Sequence, residues 1–155
     1  CIPVIIEGME TFFDTSIQEQ FQQRLERLTP QMRSQWGKMS PAQMLSHCTA
    51  PMLVAVGDLQ MKKHPLRFVG TVFKKRLLGE KPFSKNSPTA TEFVRNKDCD
   101  FAVEKKKFTD AFRKLAQGPS SVTCFNHGFF GKMTADDWGR LIYKHLDHHL
   151  QQFGL

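Results

Sequence analysis

The sequence predicts an all-α protein, a four-helix bundle with a long crossover between its second and third helices. Apolar residues recur at helical spacing in four separate stretches, two of these stretches open on capping signatures, and strand-like alternation is scarce. At 155 residues the chain has the length of one domain, and no apolar run approaches the roughly 18 residues that would span a bilayer. Residues 1–13 read as an extended N-terminal segment and residues 14–155 as a single helical domain.

The first helix rests on Ile17, Phe21, Leu25 and Leu28, with Asp14 or Ser16 as its cap and Thr29-Pro30 as its stop. Ser40-Pro41-Ala42-Gln43 then supplies a capping serine, a first-turn proline and a glutamine at the third helical position. That second helix runs to about Val56, with Met44, Cys48, Met52 and Val56 as its apolar stripe, His47 beside it, and Pro51 predicting a kink. Residues 57–97 are basic and punctuated by Pro65, Gly70, Gly79, Pro82 and Pro88, a crossover with one short helix over 68–78. Phe101, Phe108, Phe112 and Leu115 predict the third main helix from Cys99 to Leu115, ended by Gly118-Pro119. After a loop through His127, Thr134-Ala135-Asp136-Asp137 opens the fourth, with two carboxylates where the helix dipole favours them, and it runs to about Phe153.

Gly37-Lys38-Met39-Ser40 and Gly131-Lys132-Met133-Thr134 are an internal echo, each ending on a capping hydroxyl. His47 lies seven residues beyond Ser40 and His145 eleven beyond Thr134, a difference of one helical turn or about 6 Å of rise. Similar starts thus carry histidines to similar depths.

On the last helix the inward stripe is Trp138, Leu141, Ile142, His145, His149 and then Gln152 or Phe153. Residues four apart on a helix hold their β-carbons about 5 to 6 Å from one another, close enough for two imidazoles to share a metal. A third ligand must come from another element, and His47 is the histidine that lies on another regular apolar helix. His64 and His127 fall in irregular segments, and His148 ranks below His149 because its direction lies toward Asp147 and the polar flank. Asp147 itself points to solvent or to an ion pair with Lys144, so no general base is identifiable.

Trp36-Gly37-Lys38-Met39-Ser40, Gln43 to Cys48, Phe130 to Thr134, and Tyr143 to Phe153 with its H-x-D-H-H-L-x-Q-F pattern together resemble the DinB-like superfamily. The likeness covers roughly Met9 to Gly154 and is nearest to a branch carrying those W-G-K-M and histidine motifs. The resemblance implies a four-helix bundle that holds a divalent metal through one histidine of the second helix and two, four apart, of the last. These map onto His47, His145 and His149. Zinc or nickel leads the candidates, with iron and manganese also accepted by imidazole. Some members of the superfamily are thiol-dependent transferases or isomerases, and others carry only the label of metal-dependent hydrolase. Gly128 stands where many relatives have proline, which separates His127 from any role carried over. The expectation is a metal-dependent enzyme acting on a small molecule, either with a low-molecular-weight thiol or by hydrolysis. The alternative is a metal-binding or anionic-surface-binding module without turnover.

The net charge of +7 is local: residues 61–85 hold eight cations against the anion Glu80, and the rest of the chain is balanced. The favoured reading packs the apolar face of that segment's helix inward and leaves its lysines in water, ahead of a membrane surface. Nucleic acid is not expected, since no recognition motif accompanies the charge. Cys1, Cys48, Cys99 and Cys124 show no C-x-x-C pairing and read as unpaired thiols. Cys48, on the core stripe beside His47, is expected to stay protonated and inert. The expected location is cytoplasmic, or exported and lipid-anchored should Cys1 be a processed terminus; a homodimer is left open.

Overall fold

The computed structural model describes residues 10–79, 81–85 and 99–155. Among these it is mostly helical: α1 (Thr15–Glu26), α2 (Pro41–Ala55), α3 (Arg67–Leu77), α4 (Phe101–Leu115) and α5 (Ala135–Gln152). A 3-10 turn at Pro119–Ser121 and an antiparallel hairpin of β1 (Asn126–His127) and β2 (Gly131–Lys132) lie between α4 and α5. No helix among the described residues is long and apolar enough to cross a membrane.

The centre of the fold is α2. Ser40 Oγ accepts from the Gln43 amide at 3.2 Å while Gln43 Oε1 accepts from the Ser40 amide at 2.9 Å, and Pro41 follows where its missing amide hydrogen costs nothing. Twelve of its fifteen residues are buried. The helix expected to bear one apolar stripe is thus enclosed on nearly all sides, and it continues past Pro51 to Ala55. Its fullest packing is against α4, which buries Phe108, Ala111, Phe112 and Leu115. Asp100 caps α4 by accepting from the Val103 amide at 2.9 Å, so the helix begins two residues after Cys99.

Residues 1–9 of the expected extended segment lie outside the described residues. Just beyond them Phe12 is fully buried, meets Phe112 edge to face at 4.8 Å and donates its amide to the Gly139 carbonyl of α5 at 3.0 Å. A β-carbon on Gly139 would stand 2.2 Å from Thr11 Oγ1. Glycine there admits the incoming chain to the surface of α5.

The second capping box opens α5, with Thr134 Oγ1 accepting from the Asp137 amide at 3.0 Å. Gly37 and Gly131, the leading residues of the two echoed motifs, both adopt positive φ, 76° and 72°. Along α5 the residues Trp138, Leu141, Ile142, Leu146 and Leu150 enter the core. Fully buried Trp138 donates its indole N–H to the Cys124 carbonyl at 2.6 Å, holding the loop ahead of the hairpin.

The segment expected to be a plain loop through His127 is that hairpin, pairing Asn126 with Lys132 and His127 with Gly131. Strands of two residues carry no alternation for a sequence to display. Its tip accepts the crossover: a β-carbon on Gly128 would lie 2.3 Å from the Lys62 carbonyl oxygen, and the Gly128 carbonyl takes the His64 amide at 3.0 Å.

In α3 the favoured inward packing of the apolar face is overturned. Phe68 is 86% exposed and Val72 76%, and Leu66, Val69 and Phe73 are exposed as well. The face turned inward is small and polar. Gly70 is buried where a β-carbon would meet the Phe129 carbonyl at 2.3 Å, and Lys74 Nζ reaches Asp137 at 2.9 Å and the Lys132 carbonyl at 2.8 Å. Close approach to the hairpin and those bonds set the rotation of α3.

Candidate metal centre

Two helices supply the site. From α2 comes His47, 3% exposed, and from α5 come His145 and His149, the latter 8% exposed. A ligand-capable atom from each lies within 4.8 Å of the other two. His47 Nε2 and His145 Nε2 face one another at 2.9 Å, and the three ring centroids are separated by 4.7, 4.6 and 4.7 Å. The structure therefore brings together the three histidines singled out by spacing.

The electrostatics suit a ligand set. Burial, then the nearby charge of His149, His47 and His148, holds the His145 imidazole well below its ordinary pKa. Burial, with His47, pushes His149 down to about 3. Both rings are free bases at neutral pH, the form that ligates.

A hydrogen-bond relay fixes how one ring is presented. Gln152 Nε2 donates to the Trp36 carbonyl at 2.7 Å. A carbonyl only accepts, so the amide orientation is settled and Gln152 Oε1 faces His149 Nδ1 at 2.9 Å as an acceptor. His149 must carry its proton on Nδ1, leaving the Nε2 lone pair for the cluster. Gly37 completes the arrangement, since a β-carbon on it would fall 2.5 Å from Gln152 Nε2. The W-G-K-M and H-x-D-H-H-L-x-Q-F motifs thus meet in space. The sequence placed Gln152 on the inward stripe without a role; its spacing of three from His149 was the available signal.

The fit to a divalent ion rests on the chemistry and spacing of the donor set. Two imidazole nitrogens bound to one ion at about 2.0 to 2.1 Å stand roughly 3.0 to 3.4 Å apart, close to the observed 2.9 Å pair. No carboxylate or thiol joins the cluster among the described residues.

The other candidates sit elsewhere. His148 packs edge-on against Trp36 at 5.8 Å and Phe83 at 6.1 Å. His64 Nδ1 accepts from the Leu66 amide at 3.1 Å. His127 is buried, its ring tilted at 52° to that of Trp138, and its Nδ1 accepts from the amides of both Phe129 and Phe130 at 3.1 Å. Burial lowers its pKa to about 4, so it is a neutral brace of the hairpin. Asp147 pairs with Arg24 of α1 at 2.8 Å, not with Lys144, whose ammonium is spent on the Leu77 carbonyl at the end of α3 and the Gly79 carbonyl beyond it. Buried Cys48 has its thiol pKa driven far up by desolvation, in keeping with an inert core thiol.

No curated protein and no solved structure matches the chain. A family model does match, over residues 12–154, from the buried Phe12 to the turn that closes α5, and the chain belongs to that family, described as Protein of unknown function (DUF1569).

Proposed function

We propose that the chain is a metal-dependent enzyme of the DinB-like four-helix-bundle type, holding one divalent ion through His47, His145 and His149 and acting on a small molecule. The observation that carries it is the convergence of three histidine nitrogens from α2 and α5, with His145 and His149 held neutral by burial. The W-G-K-M and histidine motifs bear on the same residues, and they support the bundle topology as well. Zinc or nickel suits an all-imidazole set best, with iron and manganese behind them.

Three protein ligands leave coordination positions open, the pattern of a catalytic rather than a structural site. Such an ion lowers the pKa of a bound water or thiol and polarises a carbonyl. The protein's own part is to present neutral nitrogens. Gln152 fixes the His149 tautomer, and the Trp36 carbonyl fixes Gln152. Among the described residues no carboxylate joins the cluster, so His47, His145 and His149 would hold the ion and the ion would supply the activation of a nucleophile. That leaves thiol S-transfer and hydrolysis as the two reaction classes.

Metal analysis of protein purified without chelator tests the ligand set. About one divalent ion per chain is expected, lost in His47→Ala, His145→Ala and His149→Ala and retained in His148→Ala. Full occupancy in His149→Ala sinks the assignment. Assays of the loaded protein with low-molecular-weight thiols and electrophiles, and with ester and amide substrates, then separate the reaction classes. Metal bound at full occupancy without turnover across that panel would make the site a binding module.

A further inference from the structure

The outward face of α3 is unlike the surface of an ordinary soluble helix. Phe68, Val69, Val72 and Phe73 are exposed together on one side, at spacings that place them along a single arc. Leaving side chains of that size in water forgoes the free energy their burial would release. The orientation is not slack: Gly70 against the Phe129 carbonyl and Lys74 on Asp137 pin the opposite face to the hairpin and α5. The fold turns these side chains out and holds them there.

Cations accompany that arc, two on α3 itself and two in the segment that leads into it. Lys62, Lys63, Lys75 and Arg76 are exposed, and none has an ion-pair partner among the described residues. The segment from 61 to 85 carries a net charge equal to that of the entire chain.

We propose that α3 docks this protein on a lipid bilayer surface bearing anionic headgroups, with Phe68, Val72 and Phe73 entering the interface and these cations meeting the headgroups. Charge complementarity selects this occupant. An apolar arc accompanied by lysine and arginine satisfies both layers of an anionic membrane surface, the acyl boundary and the phosphates. A second copy of the chain would set two strongly cationic segments against each other, since a twofold interface repeats the same patch on both sides. A nucleic acid would take the cations but offer Val69 and Val72 nothing apolar to bind.

Sedimentation of the full chain with phosphatidylcholine vesicles, with and without phosphatidylserine, at low and physiological salt is the test. Binding is expected to require phosphatidylserine and to weaken with salt. Lys75→Ala and Arg76→Ala should each weaken it roughly fivefold, and Phe68→Ser combined with Val72→Ser by roughly tenfold or more. These side chains are exposed, so the variants should keep the wild-type circular dichroism and metal content. No association with phosphatidylserine vesicles at low salt overturns the proposal. So does equal binding to neutral vesicles, or binding undiminished in Phe68→Ser/Val72→Ser. A dimer in analytical ultracentrifugation that the same double variant dissolves would assign the face to a second copy instead.

Discussion

Gln152 joins two parts of the chain that share no local signal, the turn before α2 and the histidine-bearing end of α5. Losing it frees His149 to adopt either tautomer, and removal of such a supporting hydrogen bond typically costs 10- to 100-fold in metal affinity. Gln152→Leu is therefore expected to raise the metal dissociation constant about 10- to 100-fold in a competition titration, with the helical signal intact. Gly37→Ala should act on the same bond from the other side. It places a β-carbon against the Gln152 amide and strains a backbone at φ 76°, so a loss of about 1 to 3 kcal/mol in denaturant unfolding should accompany weaker metal binding. His127 offers a test independent of the metal. Its pKa falls from 6.5 in the unfolded chain to about 4 in the fold, so the native state binds fewer protons across that window. Its contribution to stability is complete above pH 6.5 and is lost as acid approaches the folded value, a change of about 3 kcal/mol. The stability difference between wild type and His127→Gln should vary with pH in that window and be flat above it. At this scale His145 and His149 were legible, because four-residue spacing on an apolar stripe is a local fact. The bracing role of His127 was not, because its burial depends on Trp138 and on a hairpin too short to leave a pattern.

The two helices that carry the clustered histidines open on the same device, and here the sequence was an adequate guide. A capping box needs a hydroxyl and a side chain three residues on, so both ends of the bond lie within one turn. Ser40→Ala and Thr134→Ala should each lower stability by about 1 kcal/mol in urea unfolding. Their effects should be nearly additive, since they cap different helices. The helix α3 shows where such reading stops. Its apolar arc is visible in the sequence, yet an arc states only that two faces differ, and not which one the protein keeps. That choice falls to Gly70, which alone permits contact with the Phe129 backbone, and to Lys74 and Lys144, which bind partners on β2, α5 and the carbonyls at the end of α3 and beyond it. A burial argument from hydrophobicity assigns the inward face by default; backbone proximity and three-dimensional charge pairing assigned it otherwise. The enclosure of α2 has the same origin, since α4 and α5 cover flanks that its own sequence leaves unspecified.

Taken as a whole, the molecule has an apolar core that runs through α1, α2, α4 and α5, and none of the three clustered histidines is among its members. Chelation is therefore expected to leave the far-ultraviolet circular dichroism unchanged while lowering the melting temperature. Free metal at a hundredfold excess over its dissociation constant stabilises the native state by about 2.7 kcal/mol, or roughly 5 to 10 °C in a domain of this size. Calorimetry with and without chelator measures it, and an unchanged midpoint would mean that the folded and unfolded chains bind the ion equally. The placement of the three histidines also bears on how the protein comes into being. His47 and His145 stand 98 positions apart, and Gln152 bonds to a carbonyl 116 positions away. While α5 is still being synthesised, an emerging chain offers His47 alone of the three clustered histidines. Closing a loop of that length is an entropic cost met by the docking of α5, not by the ion. Acquisition of a metal by the three histidines would thus follow the docking of α5, and a chain that carried one would by that fact have seated that helix.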